Sequence, residues 1–350
     1  RAKPAAQIDY WGHYPIADME FETDAPVSAG LRAWSPFIPG DAAASNVPAH
    51  PVPLFAGDVQ HVLTAPLSQI PIISPRQVKP DPDLNNEHPL GQRSALQTNR
   101  ADDIDPALQQ SVPGAAIAAP VVNFEGVSNV NGYLPPDTNG DVGPGNYVQW
   151  VNASFAIYDK QGNLKYGPAA GNTLWASLGS GSLCATENNG DPIVLYDQLA
   201  DRWLLSQFAF TDPTIPPFYQ CIAISTSSNP MGSWNLYAFK ISDTKMNDYP
   251  KFGVWPDGYY MAVNQFDNTN LLNPWAGQGV VVFERDKMLL GQAARMVYFD
   301  LYATDANLGG MLPADLDGPP PPAGAPNAFI EFDDDAWGYS SDQLQIWNFH

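Results

Sequence analysis

Histidine is almost missing where chemistry would most need it. The five histidines are His13, His50, His61, His88 and His350, so from residue 119 onward there is none before the last position. That weighs against a Ser–His–Asp hydrolase or a His-ligated zinc in this region. Basic residues are scarce too, 16 against 37 acidic, leaving a net charge of −21. Such a field repels phosphate backbones and anionic lipid surfaces, so nucleic acid and membrane surfaces are poor partners. No apolar run approaches the roughly 20 residues that cross a bilayer. There is no Gly-x-Ser-x-Gly, no Gly-x-x-x-x-Gly-Lys and no Cys-x-x-Cys. Arginine in the second part is limited to Arg202, Arg285 and Arg295. Arg285, in "FERDKM", reads as a surface turn, which disfavours a three-arginine sialidase site.

Cysteine occurs twice, at Cys184 and Cys221, flanking the apolar run "DPIVLYDQLADRWLLSQFAF". If that run folds back as a hairpin the two approach bonding distance. A disulfide is favoured over two buried thiols, and it implies an oxidising compartment.

Proline and glycine are abundant instead, 35 and 28 residues, which favours short strands and tight turns over long helices. Two parts differ in texture. Residues 1–118 contain 16 prolines and sustain neither strand nor helix periodicity. They read as an extended Pro-rich N-terminal arm. Its aromatics, as in "IDYWGHYPIADMEF", are too many for a purely solvated tail, so the arm is expected to lie along its own domain or a neighbouring copy.

Residues 119–350 read as one unit written four times. Each copy opens with a turn ("PPDTNGDVG", "NNGDPIV", "NDYPKFGVWPDG", "GGMLPADLDG") and reaches an apolar strand followed by polar turn residues. Phe155, Cys221, Val281 and Leu344 mark equivalent positions, with steps of 66, 60 and 63 residues. A four-stranded antiparallel module buries its faces only against neighbours around an axis. The expected fold is therefore all-β, a propeller-like array of four-stranded blades, with a β-sandwich as the alternative. The last copy stops mid-blade at His350, so the ring is expected to be incomplete or completed by another segment or subunit.

The stretches "GYLPPDTNGDVGPGNYVQWVNASFAIYDKQGNLKYGP", "DYPKFGVWPDGYYMAVNQFD" and "PNAFIEFDDDAWG" resemble a largely uncharacterised family of secreted bacterial propeller-type proteins over residues 122–350. The resemblance implies an exported, extracellular or cell-surface protein and brings no established activity. Its members run on past "LQIWNFH", which agrees with an incomplete propeller.

Several constellations are candidates for chemistry. Asp137, Asn139 and Asp141 alternate as oxygen ligands would around Ca²⁺. The twelfth position from Asp137 is Val148 rather than glutamate, and the same residues serve equally well to stabilise a turn. Asp191, at the entry of an innermost strand, points toward a central channel. Arg202 is expected to pair with Asp197 or Asp191 and pin a turn, with Trp203 filling the gap between blades. Glu331, Asp333, Asp334 and Asp335 form the densest acidic cluster, which either lines a site or stays solvated. Asp137, Asp191 and Glu331 are the candidate acids of a glycosidase. Trp255, Tyr259, Tyr260 and Trp275 are candidates for stacking on sugar faces, with inter-blade packing as the alternative. The favoured reading from sequence is a Ca²⁺-stabilised extracellular binding or assembly protein, not an enzyme, self-associating through the arm or an open blade edge. The alternative is a polysaccharide-active glycoside hydrolase.

Overall fold

A computed structural model of the chain describes residues 19–20, 53–56, 59–77, 120–270, 273–334 and 341–349. Four antiparallel sheets follow one another along the chain. The first holds β4 (Thr138–Val142), β5 (Asn146–Val151), β6 (Ser154–Asp159) and β7 (Leu164–Ala170). The second holds β8 (Ile193–Asp197), β9 (Arg202–Ala209), β10 (Phe218–Ser225) and β11 (Trp234–Ser242). The third holds β12 (Met246–Val254), β13 (Tyr259–Phe266), β14 (Trp275–Phe283) and β15 (Met296–Asp300). The fourth holds β16 (Leu312–Pro313), β17 (Asn327–Asp333) and β18 (Gln343–Phe349). The four marker residues Phe155, Cys221, Val281 and Leu344 all fall on third strands, β6, β10, β14 and β18.

The N-terminal arm contributes the outer edges of three of the four sheets. β3 (Gln60–Leu63) adds to β11, β2 (Leu54–Ala56) adds to β15, and β1 (Met19–Glu20) pairs with β18. The strand that the last blade lacks is thus supplied from the start of the same chain. Edge strands that would otherwise invite foreign pairing are covered internally.

Blades pack face to face through three apolar layers. Trp150, Phe155, Trp175 and Trp203 dominate the layer between the first two blades. Tyr237, Phe239, Phe252 and Phe283 lie between the second and third, and Tyr260, Phe329, Trp347 and Phe349 between the third and fourth. Trp203 is fully buried, as expected of a residue filling an inter-blade gap. The innermost strands β4, β8, β12 and β16 abut in that order. Close approach of the last two requires glycine, because a Cβ on Gly253 would come within 2.3 Å of the Ala314 carbonyl. The array is blade-like throughout; a closed ring is not established among the described residues.

Cys184, on a one-turn helix α1 (Leu183–Thr186), bonds to Cys221 on β10 with Cα atoms 5.7 Å apart. No helix among the described residues is long and apolar enough to cross a membrane.

Two sequence expectations about charge need correction. Arg202 does not pair with Asp197; its Nη1 donates to the Ala200 and Asp201 carbonyls at 3.2 and 2.8 Å. Arg285 is not on a surface turn. It opens a short helix α2 (Arg285–Leu289) and is 7% exposed. Its Nε and Nη2 donate to both oxygens of fully buried Asp197, at 2.8 and 2.9 Å. Tyr259 donates its hydroxyl to the same carboxylate at 2.8 Å. The low dielectric between blades makes a bidentate partner necessary for a carboxylate held there.

Candidate functional site

One residue in the left-handed backbone region stands just before the innermost strands β4, β8 and β16, and one stands inside β12 at its bulge. These are Asp137 (φ 42°), Asp191 (φ 48°), Tyr249 (φ 51°) and Gly310 (φ 71°). The residue is followed by Pro192 in the second blade and Pro250 in the third. Proline disfavours the right-handed helical region for the residue before it, and each blade turns sharply from the outer strand of its neighbour into its own inner strand. Asp and Gly adopt this conformation at lower cost than tyrosine does.

These stations bring carboxylates of three blades together. Asp191 sits close enough to Asp137 and to Asp248, one residue before Tyr249, to feel both charges. All three aspartates are half-buried. Burial foremost, and then the charges of Asp248 and Asp137, push the Asp191 carboxyl well above its ordinary value of 3.8. Lys251 opposes this, and a hydrogen bond with the Asp248 side chain reinforces it. Asp191 is thereby favoured as a neutral acid beside a like-charged neighbour, a recurring way to obtain a proton donor from a carboxyl. The Asp137 Oδ2 accepts from Asn152 Nδ2 at 2.8 Å, across the β5–β6 turn. The Tyr249 backbone N–H donates to Asp191 Oδ2 at 3.2 Å and to Asp248 Oδ1 at 2.9 Å.

Asn139 and Asp141, two of the three residues with metal-ligand spacing, spend oxygens elsewhere. Asn139 Oδ1 accepts from the Val194 N–H at 2.7 Å, and Asp141 Oδ2 from the Tyr196 N–H at 2.6 Å. Both N–H groups belong to β8, the inner strand of the next blade, which has no further strand to pair with. Asp315 does the same for Val254 at 2.8 Å. Side-chain oxygens therefore sew adjacent inner strands where no strand pairing exists. Among the described residues no three His, Cys, Asp or Glu side chains group as metal ligands.

The charges that Glu331 feels are those of Asp333 and Asp305. Glu331 faces inward on β17, 1% exposed, and its Oε1 accepts from the Gly309 N–H at 2.7 Å. Burial pushes its carboxyl up to about 9, opposed by the Gly309 N–H and helped by the charges of Asp333 and Asp305. Asp333 is buried beside it and accepts from Gln343 at 3.0 Å. Asp334 is half-buried, and Asp335 lies outside the described residues. A carboxyl raised from 4.5 to about 9 keeps in the fold a proton that the unfolded chain gives up. Stability should therefore fall as pH rises between those values. Glu331→Gln is expected to leave stability at pH 4 unchanged and to raise it at pH 8 by on the order of several kcal/mol. Urea unfolding at the two pH values measures this.

Of the four candidates for stacking, three are buried, as the inter-blade packing alternative requires. Tyr259, Tyr260 and Trp275 are 0%, 1% and 6% exposed. Trp275 donates its indole N–H to the Ala306 carbonyl and half-buried Trp255 to that of Ala325. Sequence reasoning did not single out Asp248, Tyr249 or Lys251. The available signal was the repeat itself, since "NDYP" stands where the second copy has "NGDP".

No family model matches the chain, and no curated protein does. Matches among solved structures include the native arabinanase of Bacillus subtilis, with 15% identity, TM-score 0.29, and coverage of 43% of this chain and 52% of that one. They also include an endo-arabinanase of glycoside hydrolase family 43 from Bacillus licheniformis, with 12% identity, TM-score 0.31, and coverage of 61% and 71%. The chain thus spans about half the length of the first enzyme. The expected kinship with an uncharacterised propeller family is corrected by these matches, which are to characterised enzymes. Corrected with it are the reading as a calcium-stabilised binding or assembly protein and the expectation that the chain is not an enzyme. At these scores the matches say nothing of this chain's activity, and the chemistry has to come from its own side chains.

Proposed function

We propose that this protein is a polysaccharide-active glycoside hydrolase whose site is the cluster of Asp137, Asp191 and Asp248, contributed by three blades. The observation that carries the reading is the environment of Asp191, a carboxyl held toward its protonated form beside two further carboxyls. Hydrolysis of a glycoside needs such a division of labour between two acids. Asp191 donates its proton to the glycosidic oxygen as the bond to the anomeric carbon breaks. Asp137, oriented by Asn152, takes a proton from the water that forms the new bond to that carbon. The sum is addition of one water across the glycosidic bond. Asp248 is a positioning residue that holds the Asp191 proton in place.

The substrate class follows from charge. A chain of net charge −21 with three carboxyls at its site disfavours polyuronates and leaves uncharged glycans as substrates. The disulfide suits an exported protein. The test is reducing-end release from arabinan, xylan, galactan and mixed-linkage glucan, with polygalacturonate as the charged control. Release from a neutral glycan is the expected result. No release from any of them removes the proposal.

A further inference from the structure

The geometry points to Tyr249 as a platform on which a sugar ring of a neutral glycan stacks beside Asp191 and Asp248, an inference that rests on the hydrolase reading for its substrate. Four equivalent stations carry Asp137, Asp191, Tyr249 and Gly310, all left-handed. Two of the four deliver carboxyls, and one is a glycine whose added Cβ would meet nothing within 4 Å. The third holds a bulky aromatic in a conformation that aspartate, asparagine or glycine adopts far more cheaply. A residue kept in a sparsely populated conformation beside charged groups persists because its surroundings impose it, and such residues gather at ligand sites.

The surroundings of Tyr249 fit that account. The β12–β13 register is irregular between Asp248 and Lys251, a bulge that re-aims the intervening side chain. The backbone N–H of Tyr249 is tied to Asp191 and Asp248, so ring and carboxyls are fixed to one another. Lys251 Nζ stands over one face of the Tyr249 ring, 3.7 Å from its centre, so the sugar of this inference stacks on the opposite face. The residue is nevertheless 39% exposed, unlike the buried aromatics Tyr259, Tyr260 and Trp275. An aromatic ring with a hydroxyl at its tip suits the apolar face and polar rim of a sugar.

The experiment compares Tyr249→Ala, Tyr249→Phe and Tyr249→Gly in the full chain. Three quantities are read: KM and kcat on the neutral glycans, calorimetric binding of their hexasaccharides, and Tm. Stacking predicts that Tyr249→Ala and Tyr249→Gly weaken hexasaccharide binding and raise KM by about tenfold, with kcat much less affected. Tyr249→Phe should keep wild-type values. Relief of the left-handed strain should leave Tm of Tyr249→Gly unchanged or raise it by about 2 °C. A Tyr249→Gly variant with lowered Tm and unchanged KM and binding would make the residue structural and overturn the inference. The two readings separate cleanly. Hydrolysis unaffected by Tyr249→Ala sinks the platform and spares the hydrolase. Hexasaccharide binding that needs Tyr249, without hydrolysis by the wild type, supports the platform and sinks the hydrolase. Neither binding nor hydrolysis by the wild type sinks both.

Discussion

Asp191→Asn is expected to lower kcat/KM on the hydrolysed glycan by about 10²–10⁴-fold, the usual contribution of a positioned proton donor. The fold should survive, because asparagine retains an oxygen to accept the Tyr249 N–H that now reaches Asp191 Oδ2. The pH dependence carries a second signature. Asp191 acts while protonated, so the rate should fall as pH rises through its elevated pKa. The charge of Asp248 is among the causes of that elevation. Asp248→Asn should therefore move the alkaline limb of kcat/KM to lower pH, whereas substitution of exposed Asp243 should not. An Asp191→Asn enzyme with the wild-type rate, or an alkaline limb indifferent to Asp248, would assign the chemistry to other residues.

The largest effect on stability is expected at Arg285. Two of its three side-chain hydrogen bonds go to fully buried Asp197 and the third to the Pro256 carbonyl at 3.3 Å, so Arg285→Ala leaves a carboxylate without its charged partner in the gap between blades. A loss of about 3–5 kcal/mol is expected in urea unfolding. Tyr259→Phe, which removes one hydrogen bond to the same carboxylate, should cost about 1–2 kcal/mol. The double variant Asp197→Asn, Arg285→Met removes both charges and should recover most of the loss, because the penalty lies in stranding one ion. Asp197 ends the strand β8, while Asp191 precedes its start. The ion pair therefore secures one end of the strand whose other end presents the proton donor, and Arg285→Ala should lower stability far more than kcat of the folded fraction.

Much of this architecture was legible in the sequence because it depends on local pattern. The near-constant step between Phe155, Cys221, Val281 and Leu344 marks third strands, and turn residues punctuate the copies. The disulfide followed from two cysteines on either side of a hairpin. Asp137 and Asp191 stood out because they open their copies. What escaped notice depends on how blades meet. Arg285 looks like a turn residue until α2 is seen to lie against Asp197, 88 positions away. Asn139 and Asp141 alternate as metal ligands do, and the same alternation directs both toward the unpaired edge of β8. Tyr249 is invisible as a site residue until its φ is known, because nothing in "NDYP" says that the tyrosine takes a place held by aspartate in two other blades. The arm reads as irregular chain because its strands are only two to four residues long and borrow their pairing from β11, β15 and β18.

The central claim is that aspartates from three blades meet so that one of them stays protonated. A carbon-13 titration of the aspartate carboxyls in the wild type and in Asp191→Asn addresses it directly. The account predicts one resonance that titrates well above 3.8, the ordinary aspartate value, disappears in Asp191→Asn and moves toward that value in Asp248→Asn. A wild-type spectrum in which every aspartate carboxyl titrates in the ordinary range or below it would contradict the account.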